Sequence, residues 1–83
     1  KLAVIEQAEI HLRHLGVSDC RLRHHGDIAR VEIPAAEIQA VLAHPRWPET
    51  VAKIRQLGFL FVTIDAEGLK SGSLNRALRV VSS

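Results

Sequence analysis

The sequence predicts a small α+β domain: a three-stranded mixed sheet with helices packed on one face, in the order α-β-β-α-α-β plus a short C-terminal helix. Three observations carry this. Apolar residues first recur at three- and four-residue spacing, alternation with charged residues takes over between Cys20 and Ile33, and a β-branched and aromatic run follows at 59–64. Eighty-three residues can bury one hydrophobic core and not two, so residues 1–83 are read as one domain.

Leu2, Ile5, Ala8, Leu12 and Leu15 form one apolar helical stripe, with Glu6, Glu9 and Arg13 turned outward. Gly16 ends this helix as a left-handed C-cap. Cys20–His24 and Ile28–Ile33 then make a β-hairpin around His25-Gly26-Asp27. A two-residue period puts Cys20, Leu22, Ala29, Val31 and Ile33 on the buried face and Arg21, Arg23, Arg30 and Glu32 on the other. Pro34 stops the second strand and starts a helix through Ala43, which His44-Pro45 breaks. A further helix runs from about Trp47 or Pro48 to Leu57 and is capped by Gly58, so that helix, glycine and strand follow one another twice in this chain. The run Phe59–Ile64 is apolar enough for a strand buried on much of both faces, which makes it the expected central or core-facing strand. Lys70-Ser71-Gly72-Ser73-Leu74-Asn75 leads into the last helix, to about Val80.

The composition, 47% hydrophobic and 24% charged, is that of a folding chain. The longest uncharged apolar stretch, Leu57 to Ile64, falls far short of the ~20 residues a membrane helix needs. Nothing resembles a signal peptide, so no membrane association and a cytoplasmic location are expected. One cysteine, Cys20, forms no internal disulfide and no CxxC site. The net charge of +2 arises from eight arginines and three lysines against nine acids, which excludes a broad polybasic field and makes any anion recognition local. The chain begins at Lys1 and enters helical periodicity at once, as a piece of something longer would.

The candidate binding residues are Arg21, Arg23 and Arg30 on the hairpin and Lys70, Ser71 and Ser73 before the last helix. Arg21 and Arg23 leave one face of a strand about 7 Å apart, with Arg30 opposite. Guanidinium forks suit phosphate and carboxylate, and three against the single acid Glu32 leave positive charge uncompensated. A solvated face with an ion-pair lattice accounts for the same alternation. Small hydroxyl residues and a glycine before a helix suit an anion, with Ser73 as N-cap, or merely cap the helix. Asp65 and Glu67 are either strand-end functional acids or turn formers before Gly68. His11, His14, His24 and His25 lack the further ligands of a metal site, and His24 is expected on the core side with a hydrogen-bond partner. Cys20 is read as a small buried hydrophobe and not as a nucleophile. No catalytic residue is assigned.

Three ordered blocks carry a resemblance to a known family: Arg21-Leu22-Arg23-His24-His25-Gly26-Asp27-Ile28-Ala29-Arg30-Val31-Glu32, then Leu57-Gly58-Phe59 with Val62-Thr63-Ile64-Asp65, then Gly68-Leu69-Lys70-Ser71-Gly72-Ser73-Leu74-Asn75. Together they resemble the C-terminal domain of the LarE-type ATP-dependent sacrificial sulfur transferases of the PP-loop superfamily. The resemblance implies a full-length enzyme that adenylylates a carboxylated nicotinic-acid nucleotide with ATP and Mg and then gives it sulfur from a protein cysteine. It implies that the SGGxDS loop and the donor cysteine precede this domain, that Cys20 does not inherit the donor role, and that the domain is inactive alone and holds no cofactor itself. The implied partners are the N-terminal PP-loop domain of the same chain, a phosphate-bearing nucleotide substrate and, in the full-length protein, further copies in a homo-oligomer. Arg21 and Arg23 match the family's paired-arginine strand, which looks toward the substrate phosphate. Lys70 stands where an arginine is expected, and Leu74 and Arg76 replace a methionine and a glutamate. The competing reading is a free-standing interaction module whose arginine face meets an acidic protein or RNA.

Overall fold

The computed structural model describes residues 3–69. In it helix α1 (Val4–Arg13) leads into the hairpin β1 (Arg21–His25) and β2 (Ile28–Glu32). A 3₁₀ turn (Ala35–Glu37), two helices, α2 (Ile38–Leu42) and α3 (Trp47–Gln56), and strand β3 (Phe61–Ile64) complete the order. The mixed sheet runs β1-β2-β3, with β1 antiparallel and β3 parallel to β2. A parallel pair needs a long crossover, and the two helices between β2 and β3 supply it. The expected short C-terminal helix, with Lys70, Ser71 and Ser73, lies outside the described residues.

The alternation in the hairpin sorts the side chains as their parity requires. Leu22 is paired with Val31, and both are buried together with Cys20, Ala29 and Ile33. Ala8 and Leu12 of α1, Val41 of α2, Ile54 of α3 and Phe59 close the core from the other side. Each fully buried Leu or Ile contributes about 1.5–3 kcal/mol relative to exposure. Trp47 is half-buried against this core.

Three sequence expectations are corrected. The central strand is β2, not Phe59–Ile64, because β2 hydrogen-bonds on both sides while β3 is an edge among the described residues. The apolar run misleads because its members part company: Phe59 fills the core before the strand begins, Val62 and Ile64 pack partly against it, and Leu60 and Phe61 are exposed. The strand also starts late, since the amides of Leu60 and Phe61 both donate to the Asp27 carbonyl at the hairpin tip. Finally, the helix expected from Pro34 to Ala43 opens as a 3₁₀ turn, in which the Glu37 amide donates to the Pro34 carbonyl at 2.8 Å. The Glu37 side chain is drawn back to the α1–β1 loop, where its carboxylate accepts from the Ser18 amide at 2.9 Å and from the Ser18 hydroxyl.

The repeated helix-glycine device is real in three dimensions. At both sites the glycine amide donates three residues back, Gly16 to Arg13 and Gly58 to Arg55, and both glycines have positive φ. Gly68 meets a harder constraint. After β3 the chain crosses over the end of β2, with the Leu69 amide donating to the Ile33 carbonyl at 2.6 Å. A Cβ on Gly68 would lie 2.7 Å from the Ala35 nitrogen and 2.8 Å from the Ile33 oxygen, at φ +81°.

Gly68→Ala is therefore expected to cost more than about 2 kcal/mol, since backbone collision adds to left-handed strain. That is a fall of roughly 10 °C or more in Tm for a domain of this size. Gly16→Ala, with open space around its Cβ position, should cost only about 1 kcal/mol by the same thermal measurement. The Glu37–Ser18 contact gives a pH signature. Hydrogen bonds from the Ser18 hydroxyl and amide hold the Glu37 carboxyl below its ordinary range. A depressed folded pKa means stability that is present above the unfolded value of about 4.3 and is lost as pH falls through the folded one. Glu37→Ala should lower Tm near neutral pH, with the deficit shrinking as Tm is followed into acid.

Candidate functional site

The face of the sheet opposite the helices is open among the described residues, and the register arranges its side chains in rows. Arg21 stands opposite Glu32, and Arg23 opposite Arg30, which is itself level with Thr63 of β3. His25, Ile28 and Phe61 form the next row. The hairpin thus brings Arg21, Arg23 and Arg30 onto one surface, as their parity predicts.

Their charges are better compensated than the alternation suggests. Glu32, only 12% exposed in its side chain, divides its two oxygens between Arg23 Nε at 3.2 Å and Arg30 Nη2 at 3.0 Å. Arg30 Nε also lies 3.9 Å from Asp65 Oδ2, too long for a hydrogen bond, and is buried with no hydrogen-bond partner in the described residues. Arg21 Nη1 donates to the Cys20 carbonyl at 3.1 Å and lies 3.6 Å from Asp19 Oδ1. The expected uncompensated charge is corrected accordingly: Asp19 and Asp65 come from the loops flanking the sheet, whose positions alternation within strands does not reveal.

The three arginines are nonetheless unequal. Arg30 is held at a terminal nitrogen by Glu32 and has Asp65 beside its Nε. Arg21 and Arg23 are half-exposed, and Arg23 meets Glu32 through Nε alone. Exposed ion pairs are worth about 0–1 kcal/mol, so the longer Arg21–Asp19 pair yields readily to an incoming dianion. Both guanidinium groups can turn forked donors outward without breaking the core.

The remaining candidates fall into ordinary roles. Asp65 Oδ1 accepts from the Glu67 amide at 2.9 Å, which is turn chemistry. His24 stands on the core face at the hairpin end, its Nε2 2.7 Å from the Gly26 carbonyl and its ring edge-on to Phe59 with centroids 5.3 Å apart; it is exposed at the rim instead of enclosed. No group of three His, Cys, Asp or Glu side chains that could hold a metal occurs among the described residues. No described helix is long and apolar enough to cross a membrane. One feature escaped the sequence reading. Phe61 is 61% exposed on the arginine-bearing face, and its parity with Thr63, one residue out of step with Val62 and Ile64, was the available signal.

No family model matches this sequence. The chain is 42% identical over 78 residues to the uncharacterized protein slr1717 of Synechocystis sp., an alignment covering 94% of this chain and 29% of that protein. It is 39% identical over 77 residues to the pyridinium-3,5-bisthiocarboxylic acid mononucleotide synthase of Lactiplantibacillus plantarum, covering 93% of this chain and 27% of that enzyme. The chain therefore spans less than a third of the length of these curated relatives, and nearly all of it is similar to a segment of a synthase whose product is a sulfur-bearing mononucleotide.

Cys20 is fully buried behind β1, with Sγ 3.7 Å from the Glu9 carbonyl, and burial pushes its thiol pKa up. The thiolate is the reactive form. Iodoacetamide should label Cys20 slowly in the native domain at neutral pH and promptly in denaturant; fast native labelling would contradict the burial.

Proposed function

We propose that this chain is the substrate-phosphate-binding and assembly domain of an ATP-dependent sulfur transferase, with Arg21 and Arg23 holding the phosphate of a mononucleotide. The observation that carries the reading is the half-exposed pair Arg21 and Arg23 on one face of β1, in a chain 39% identical over 93% of its length to part of a mononucleotide synthase. Two guanidinium groups about 7 Å apart can grip one phosphate from two directions, each through parallel N–H donors. Arg30 and Glu32 then act as support: Glu32 holds Arg23 by Nε and leaves its terminal nitrogens for the ligand.

In this proposal ATP, the adenylylating groups and the sulfur donor belong to a PP-loop domain of the longer enzyme, and this domain contributes binding and orientation. A phosphate fixed at one end of the nucleotide sets the position of the ring at the other, which is how binding energy remote from the reacting carbon is turned into rate. The acidic-protein or RNA reading gains nothing from the geometry, because the carboxylates within 4 Å of each arginine remove the extended positive field such a partner would follow.

Arg21→Ala with Arg23→Ala should abolish sulfur transfer in the full-length protein. Stability should hardly change, by about 0.5 kcal/mol, since Glu32 keeps Arg30 and neither arginine lies in the core. Arg21→Lys with Arg23→Lys should recover activity only partly, because lysine keeps the charge and loses the fork. Undiminished turnover in the alanine variant, or a large fall in its Tm, would remove the assignment.

A further inference from the structure

The open face is chemically divided. Arg23, Arg30 and Thr63 form one row, with Arg21 and Glu32 beyond it, while Ile28 and Phe61 mark the row at the hairpin end. Ile28 is 38% exposed and Phe61 61% exposed, so a paired aromatic and aliphatic strip faces outward beside the charged rows. A sheet face with an apolar end and an anion-binding end fits a ligand with the same polarity.

We infer that Phe61, beside Ile28, is the platform on which the aromatic ring of the mononucleotide substrate lies, one row from Arg23 and two from Arg21, the arginines that take its phosphate. This rests on the phosphate-binding reading above and adds the ring's position to it. Charge complementarity selects the occupant. A pyridinium ring is electron-poor, so the face of a phenyl ring attracts it, while the forked donors of the arginines suit the phosphate. The phosphate has the opposite preference. The two ends of one pyridinium mononucleotide are therefore sorted to opposite ends of this face. Spacing agrees: Phe61 and Arg23 are two strands and one row apart, about 12 Å between backbones, a gap that the arginine arm and the ring-to-phosphate length of a mononucleotide span together. Thr63, on the row of Arg23 and on the same strand as Phe61, presents a small polar side chain beside that path and leaves room for the sugar.

The test compares two probes with the full-length protein by titration calorimetry: nicotinic acid mononucleotide, and ribose 5-phosphate, which lacks the ring. Phe61→Ala should weaken the mononucleotide about tenfold, the loss expected for one aromatic stack, and leave ribose 5-phosphate within about twofold. Phe61→Trp should restore the mononucleotide and Phe61→Leu should not. Arg21→Ala with Arg23→Ala should weaken both probes. If Phe61→Ala changes neither probe while the arginine variant weakens both, the ring platform is wrong and the phosphate site stands. If the arginine variant changes neither, the phosphate site fails and the inference falls with it. Equal weakening of both probes by Phe61→Ala, or full rescue by Phe61→Leu, would show that Phe61 packs against the rest of the protein and would overturn the inference.

Discussion

Strand β2 holds the domain together because, among the described residues, it is the strand hydrogen-bonded on both sides, and its two faces have opposite chemistry. Ala29 and Val31, with Ile33 just beyond, form the floor of the core, while Ile28, Arg30 and Glu32 form the middle of the open face. A one-residue slip against β1 or β3 would expose the apolar set and bury the charges together, so core packing and the layout of the open face are enforced by a single register. The tight hairpin sets that register on one side. On the other, the Leu60 and Phe61 amides at the Asp27 carbonyl and the Asp65 amide at the Val31 carbonyl pin β3 at both ends.

Glu32 connects that register to the chemistry. A nearly buried carboxylate is costly unless paired, and Glu32 is paired twice, with Arg23 and Arg30. The arrangement holds Arg30 through a terminal nitrogen and Arg23 through Nε alone, while Arg21 pairs at the longer distance of 3.6 Å with Asp19 at the strand's start. Supporting charge and available charge thus differ in what holds them, although all three residues are arginines on one face. Elsewhere, carboxylates serve as fasteners between elements: Glu9 of α1 accepts the Leu22 amide at 2.9 Å, and Glu37 accepts Ser18. These contacts satisfy amides next to the sheet that no strand partner reaches.

Much of this was legible because it depends on local periodicity. The helical stripe, the two glycine caps and the inward set of the hairpin follow from residue spacing, and the grouping of Arg21, Arg23 and Arg30 follows from two-residue parity across a tight turn. The strand 61–64 was legible in existence and not in place, because a short apolar run reads alike whether it is central or lies at an edge with one face open. Glu37 was invisible as a fastener, since its partner Ser18 is nineteen residues away and no periodicity links them.

The sequence by itself determined which residues share a face, because side-chain direction within a strand or helix is a property of the backbone repeat. Only the tertiary structure decided which of those residues are spent on one another. Asp19 and Asp65 reach the arginines from loops whose paths are set by packing of the whole chain, and β3 joins β2 only after the helical crossover has brought it back. That long-range closure turned an alternating row of charges into arginines each matched to a carboxylate, with an exposed phenyl ring on the same surface.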